Sequence, residues 1–245
     1  MTGRTKVGGG AFWIWPIANR SAVAILSVSV SQSLRFAALL PLARTLAARD
    51  IATFEHARRV RRYARALASR VGIVDEEELR TLETAALFHD VGKLAIPDHV
   101  LSKAGPLTPE EYEQVKRHAA IGADLLTGLA FPGPLALLVR HHHENWDGTG
   151  YPDRLRREDI PAGARALSIA DCYDALTSDR PYRRALSHAT AMAMMTDRCG
   201  SMFDPMMIEA FVSIAESLQP AALVSAHTVS SVRAGISFPL ESGVR

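Results

Sequence analysis

Asp75-Glu76-Glu77-Glu78-Leu79-Arg80-Thr81-Leu82-Glu83-Thr84-Ala85-Ala86-Leu87-Phe88-His89-Asp90-Val91-Gly92-Lys93 is the stretch whose reading decides the fold. Asp75 is an N-cap residue type, and Glu78 follows it at the capping-box spacing. Leu79, Leu82, Ala86 and His89 then recur at three or four residues. That is one face of a helix, not the alternating faces of a strand. The helix delivers His89 and Asp90, two metal-ligating residue types, at its C-terminal end.

The same period extends outward from this helix. Before it, His56, Val60, Tyr63, Leu67 and Val71 share a face, and Gly72 ends the helix that carries them. Leu34 to Ala48 is rich in Ala and Leu, with Pro41 as a kink or start. After it, Thr108-Pro109-Glu110-Glu111 combines an N-cap, a proline at the first helical position and a glutamate at the third. Val115, His118, Gly122 and Leu125 lie on the inner face of that helix. Pro132 and Pro134 break the chain, and a short apolar run, Leu135 to Val139, leads into His141. Glu144 to Pro161 reads as a loop, with Gly148, Gly150, Pro152 and Pro161. Helix returns from Ala164 to Thr177, with Leu167, Asp171 and Asp174 on one side, and again from Ser187 to Arg198 and Pro205 to Ser217. Little alternates with period two, so an all-α domain is expected.

Composition agrees with a globular protein: 245 residues, 48% apolar and 22% charged. The net charge of +2 excludes a broad footprint for duplex nucleic acid but leaves room for a local anion pocket. Cys172 and Cys199 stand in no paired motif, which fits a reducing compartment and buried thiols. Near the N-terminus, Gly8-Gly9-Gly10 precedes two apolar stretches, Phe12 to Ile17 and Ser21 to Val30, split by Asn19-Arg20. Neither supplies the roughly 20 apolar residues of a spanning helix. The expectation is a cytoplasmic protein with a poorly ordered N-terminal extension over 1–32, a domain over 33–219 and a tail over 220–245. The extension's Trp13 and Trp15 could associate with a membrane surface.

Seven candidate ligands follow in order: His56, His89, Asp90, His118, His142, His143 and Asp171. The intervals are 33 residues from His56 to His89, 29 to His118, 24 to His142, and 28 from His143 to Asp171. Each is about one helix plus its connection, so successive helices can aim ligands into one centre. Imidazole mixed with carboxylate suits Fe, Mn, Zn or Ni rather than soft thiolate chemistry. Seven ligands exceed what one catalytic ion takes from protein, so two ions are expected, with Asp90 able to bridge them. Two metals about 3.5–4 Å apart suit phosphoester cleavage, because both can stabilise charge on a phosphate. Lys93, three residues after Asp90, could hold a phosphate oxygen or help protonate a leaving alkoxide. Arg180 and Arg183 could clamp phosphate charge. Taken singly, each residue has a plainer reading. A His-Asp pair is usually structural, Lys93 a solvated lysine, and Trp146 and Tyr151 packing residues. The ordered set carries the chemistry. His141 is read as no ligand, and His99, His188 and His227 as structural or exposed.

With these residues in view, the chain resembles the HD-GYP family, a branch of the HD-domain metal phosphohydrolases. The match covers about Ser33 to Ser217 and rests on His89-Asp90, Gly150-Tyr151-Pro152, the run Val91 to Pro97, the run Asp171 to Arg183, and Phe203-Asp204-Pro205. The resemblance implies a helical bundle around a multinuclear metal centre and hydrolysis of cyclic di-GMP to linear pGpG, in some members onward to GMP. It implies His56, His89, Asp90, His118, His142, His143 and Asp171 as metal ligands, Asp90 and Lys93 as catalytic, and Tyr151, Arg180 and Arg183 as contacts to the dinucleotide. Two or three divalent ions are what it implies, and two, Fe or Mn, are the cofactors expected for this chain. A diguanylate cyclase or other signalling protein, and a second copy of the chain, are the macromolecular partners in keeping with that role.

Three departures from the family pattern bear on function. Ala52 stands where members with a third metal carry Glu, which favours two metals and pGpG as the main product. Arg154 and Arg157 stand where the family often has glycine, and Lys103-Ala104-Gly105 replaces Lys-Pro-Gly. No sensor domain is expected before Leu34. Two other readings stay open at the level of sequence: a non-hydrolysing receptor or scaffold for the dinucleotide, and a phosphohydrolase of another cyclic dinucleotide.

Overall fold

The structure is a computed structural model that describes residues 45, 51–128, 133–179 and 183–218. Of the expected helix over 34–48 only Thr45 is described, and it is helical; the boundaries at 33 and 219 fall outside the described residues, as do both terminal extensions. Among the described residues all regular elements are helical, and pairing of extended backbone is confined to an isolated bridge between Cys199 and Phe203. The order is α1 (Ile51–Arg70), α2 (Glu76–Phe88), a 3-10 turn (Val91–Ala95), α3 (Asp98–Leu101), α4 (Pro109–Gly128), α5 (Gly133–His141), a 3-10 turn (Arg157–Asp159), α6 (Ala162–Thr177), α7 (His188–Thr196), α8 (Pro205–Ala215) and a last 3-10 turn (Glu216–Leu218).

Local chemistry sets the helix ends. Asp75 Oδ1 accepts from the amides of Glu77 and Glu78 at 3.0 and 2.9 Å, starting α2. At α4 the capping box is complete. Thr108 Oγ1 accepts from Glu111 N at 3.2 Å, while Glu111 Oε2 accepts from Thr108 N at 2.7 Å. Gly72, at φ +91°, closes α1 in the left-handed conformation that glycine adopts freely. The apolar run after Pro134 is itself a helix, α5. Its proline lies in the first turn, where a missing N–H costs nothing.

Helix α1 packs between α2 and α6, and α8 also lies against it; α4 pairs with α5 and with the turn Val91–Ala95, and α5 also meets α2. Leu67 of α1, Leu82 of α2, Leu126 of α4, Leu167 of α6 and Phe211 of α8 are fully buried in the shared core. Each such side chain contributes about 1.5–3 kcal/mol. One expectation needs correction: Cys199 is exposed rather than buried, because it lies in the turn after α7, while Cys172 is half-buried on α6. Burial and the neighbouring Asp171 carboxylate push the Cys172 thiol up to about 12, so it stays protonated.

Candidate metal centre

The bundle brings all seven sequence-predicted ligands into one region. His56 comes from α1, His89 and Asp90 from the end of α2, His118 from α4, His142 and His143 from the end of α5, and Asp171 from α6. His56, His89, Asp90, His118 and His142 are buried. Two trios have ligand atoms within 4.8 Å of one another: His56, His89 and Asp90, and His118, His142 and His143. Asp90 stands between them. Its Oδ2 lies 3.5 Å from His89 Nε2, and its Oδ1 lies 3.5 Å from His118 Nε2. Asp171 joins the first trio, with Oδ1 at 3.1 Å from His56 Nε2 and 3.8 Å from His89 Nε2.

Three histidines are oriented by the same device. His89, His118 and His142 each place Nδ1 on the carbonyl three residues back: Ala86 at 2.9 Å, Val115 at 2.7 Å and Val139 at 2.6 Å. A carbonyl only accepts, so Nδ1 carries the proton and the Nε2 lone pair is left for the centre. His89 Nε2 is buried with no hydrogen-bond partner. A polar nitrogen buried in that state is costly unless it has a ligand. These donors therefore fit divalent metal ions of the imidazole and carboxylate class.

The electrostatics agree. Burial lowers the His118 pKa. Burial and the neighbouring histidines hold His142 well below its ordinary value, and burial and His118 bring His143 to about 3. These three rings are neutral at pH 7. Burial alone would raise the Asp90 carboxyl, but Lys93 and the nearby histidines outweigh it and hold it well below the carboxylate range. Asp171 stays anionic against burial through its hydrogen bond with His56. His56 differs from the other candidate ligands. Burial lowers it, but hydrogen bonds with Asp171 and Asp174 bring it up to about 9.

Asp174 is the residue of the candidate site that the ligand pattern alone misses. Its Oδ2 meets His56 Nδ1 at 2.7 Å. Arg59 Nε donates to Asp174 Oδ1 at 2.6 Å and Arg59 Nη2 to Oδ2 at 3.0 Å. Ser178 Oγ adds a bond to Oδ2 at 3.2 Å. Asp174 thus takes the place at His56 that backbone carbonyls take at the other three rings. The signal was spacing: Asp174 follows Asp171, and Arg59 follows His56, by one helical turn.

Lys93 Nζ lies 2.7 Å from Asp90 Oδ2, brought there by the 3-10 turn that continues α2. The Tyr151 ring stacks on His143 at 4.9 Å. The loop carrying Tyr151 is clasped on both sides. Asp153 binds Arg140 at 2.6 and 2.8 Å and His141 at 2.8 Å, so His141 is spent on the loop. Glu144 Oε1 accepts from Asp153 N at 2.7 Å. On the far side, Trp146 N and Asp147 N donate to the carbonyls of Met202 and Ser201 at 3.1 and 2.9 Å. Gly150 has to be glycine, because a Cβ there would lie 2.3 Å from Asn145 N. Arg154 and Arg157 have φ of 55° and 53°. That left-handed conformation explains why glycine suits both positions.

The two arginines beyond α6 fare differently. Arg180 lies outside the described residues. Arg183 Nη1 donates to Leu176 O at 3.1 Å and Arg184 O at 3.2 Å, and Nη2 to Ala175 O. It caps the C-terminus of α6, where a cation offsets free carbonyls.

Residues 41–207 match the family model described as HD domain. The chain belongs to the HD-domain family. Within that family it is 43% identical over 173 residues to the cyclic di-GMP phosphodiesterase response regulator RpfG of Xanthomonas campestris, covering 70% of this chain and 46% of the relative. It is 35% identical over 170 residues to 3′3′-cGAMP-specific phosphodiesterase 2 of Vibrio cholerae, covering 69% of this chain and 32% of the relative. The HD-domain chain thus spans less than half the length of these curated relatives. A solved HDG"Y"P protein of Bdellovibrio bacteriovorus superposes with a TM-score of 0.55 at 26% identity, over 67% of this chain and 52% of that one. The expected HD-GYP branch and helical fold are both met.

Proposed function

We propose that the chain hydrolyses a 3′,5′-phosphodiester of a cyclic dinucleotide, with cyclic di-GMP as substrate and linear pGpG as main product. The observation that carries this reading is the convergence of seven His and Asp side chains on one centre with Asp90 between two trios. The 43% identity to a named cyclic di-GMP phosphodiesterase supplies the substrate class. His56, His89, Asp90 and Asp171 would hold one divalent ion, and Asp90, His118, His142 and His143 a second, with Fe or Mn as the metals the donors suit. Such ions supply polarisation of phosphate oxygens and water activation at neutral pH.

The chain's own residues do the rest. The neutral imidazoles keep their lone pairs directed inward, and burial excludes bulk water from around them. In hydrolysis, water adds at phosphorus, the bond to the 3′ oxygen breaks, and that oxygen takes a proton. Lys93, beside Asp90, is placed to hold a phosphate oxygen and to supply that proton. Tyr151, stacked on His143, offers a ring face to the substrate. The cGAMP-specific relative favours a second reading, the same hydrolysis on a mixed cyclic dinucleotide.

The test is anaerobic purification, metal analysis, and incubation with cyclic di-GMP, cGAMP and cyclic di-AMP, with Asp90→Ala as control. Appearance of pGpG that the control abolishes supports the reading. An intact dinucleotide panel in metal-replete protein sinks it and leaves a receptor.

A further inference from the structure

Lys116 has no part in the chemistry described so far, yet it sits beside it. It lies on α4, two residues before His118 and one turn after Tyr112. Its ammonium is 5.3 Å from the Tyr112 ring centroid and 5.8 Å from that of Tyr151. Tyr151 in turn stacks on His143 at 4.9 Å. A run of contacts therefore leads from the lysine through a tyrosine to one of the ligand histidines. The side chain is 25% exposed, low for a residue type that is rarely held in. Its ion-pair partner, Glu113 at 2.5 Å, is 68% exposed. An exposed pair of this kind contributes little and is readily exchanged. It does not account for an ammonium poised over two rings.

Lys93 stands against Asp90, and Lys116 stands against Tyr151, the ring stacked on His143. A cyclic dinucleotide has two phosphodiesters. The one being cut belongs at the ligand cluster next to Lys93. The other carries a full negative charge and needs a cation of its own. We infer that Lys116 holds the second, uncleaved phosphate of a cyclic dinucleotide, with Tyr112 and Tyr151 keeping its ammonium in place through cation–π contacts. The inference rests on the function proposed above. On binding, Lys116 exchanges Glu113 for phosphate, a stronger acceptor set.

The experiment compares Lys116→Ala and Lys116→Arg with wild type on two substrates. Cyclic di-GMP has the second phosphate, and bis(p-nitrophenyl) phosphate has only the one that is cut. Lys116→Ala should raise KM for the dinucleotide about tenfold or more, the loss of one charge-assisted contact. Its kcat, its metal content and its turnover of the single phosphodiester should stay at wild-type values, and Lys116→Arg should restore KM. Equal losses on both substrates, or an unchanged dinucleotide KM, overturn the inference. Equilibrium binding of cyclic di-GMP separates it from the proposed function. If wild type binds without turnover and Lys116→Ala weakens binding, the phosphodiesterase reading falls and the subsite stands. If wild type neither binds nor cleaves the dinucleotide, both fall.

Discussion

Gly92→Ala tests how the two halves of the centre are held together. Gly92 lies in the turn that follows Asp90, and that turn packs on α4 beside His118. A Cβ at Gly92 would lie 1.9 Å from His118 O and 2.7 Å from Gly122 N. Real Cβ atoms essentially never come within 3.0 Å, so turn and helix must part by about 1.1 Å. Both clashing atoms are backbone, and no rotamer change relieves them. The displacement falls on the link between Asp90 Oδ1 and His118 Nε2, now 3.5 Å, which joins the two trios. Overpacking of this kind costs about 1–3 kcal/mol of stability. A misplacement of about 1 Å costs on the order of 10²-fold in turnover. Gly122→Ala is the internal comparison, because its Cβ would make contacts of 3.2 Å only, two of them to valine side chains. Thermal unfolding, metal content and phosphodiester turnover are measured on both. The expected order is a large loss for Gly92→Ala and a small one for Gly122→Ala. Wild-type turnover in Gly92→Ala, or equal damage from both changes, would refute the reasoning.

Asp174→Asn removes the carboxylate that orients His56, and metal affinity read by chelator competition should fall about 10–100-fold while the helical content stays. Arg154→Gly and Arg157→Gly release left-handed backbone at φ of 55° and 53°, so each should raise the melting temperature, by roughly 1 kcal/mol of stability. Hydrogen bonding from Arg140 holds Asp153 down to about 2 against burial, with His141 adding to the effect. Its folded pKa is depressed, so its stabilisation is present above an unfolded value of about 3.9 and is lost as pH falls through the folded value. Asp153→Asn should therefore lower stability at neutral pH and flatten the acid limb of a stability–pH curve. An unchanged acid limb would show that the loop clasp contributes nothing.

Much of this protein was legible in its sequence because the signals are local. Helix caps at Asp75 and Thr108, the stop at Gly72 and the period of three to four residues are set within one or two turns of chain. The seven candidate ligands were legible because a helix-length interval repeats between them. Arg183 was legible only in part. Its charge and position in the chain suggest a phosphate clamp, and the contact its guanidinium makes with the end of α6 depends on how the chain folds back after the helix. The α5 helix was hidden behind Pro134, since a proline reads as a break until its place in the first turn is known.

The sequence by itself determined the helical character of the described residues, the seven candidate ligands and their order, and the HD-GYP resemblance. Only the tertiary structure decided which ligands share a trio, that Asp90 faces both, and that Asp174 with Arg59 fixes His56 from 118 residues away. It also decided that Lys116 leans over Tyr151 and that Gly92 must be bare for α4 to approach. The physical reason is range. Capping and periodicity act through neighbours in the chain, whereas a metal centre is a set of distances between helices, fixed only once side chains of the core have packed.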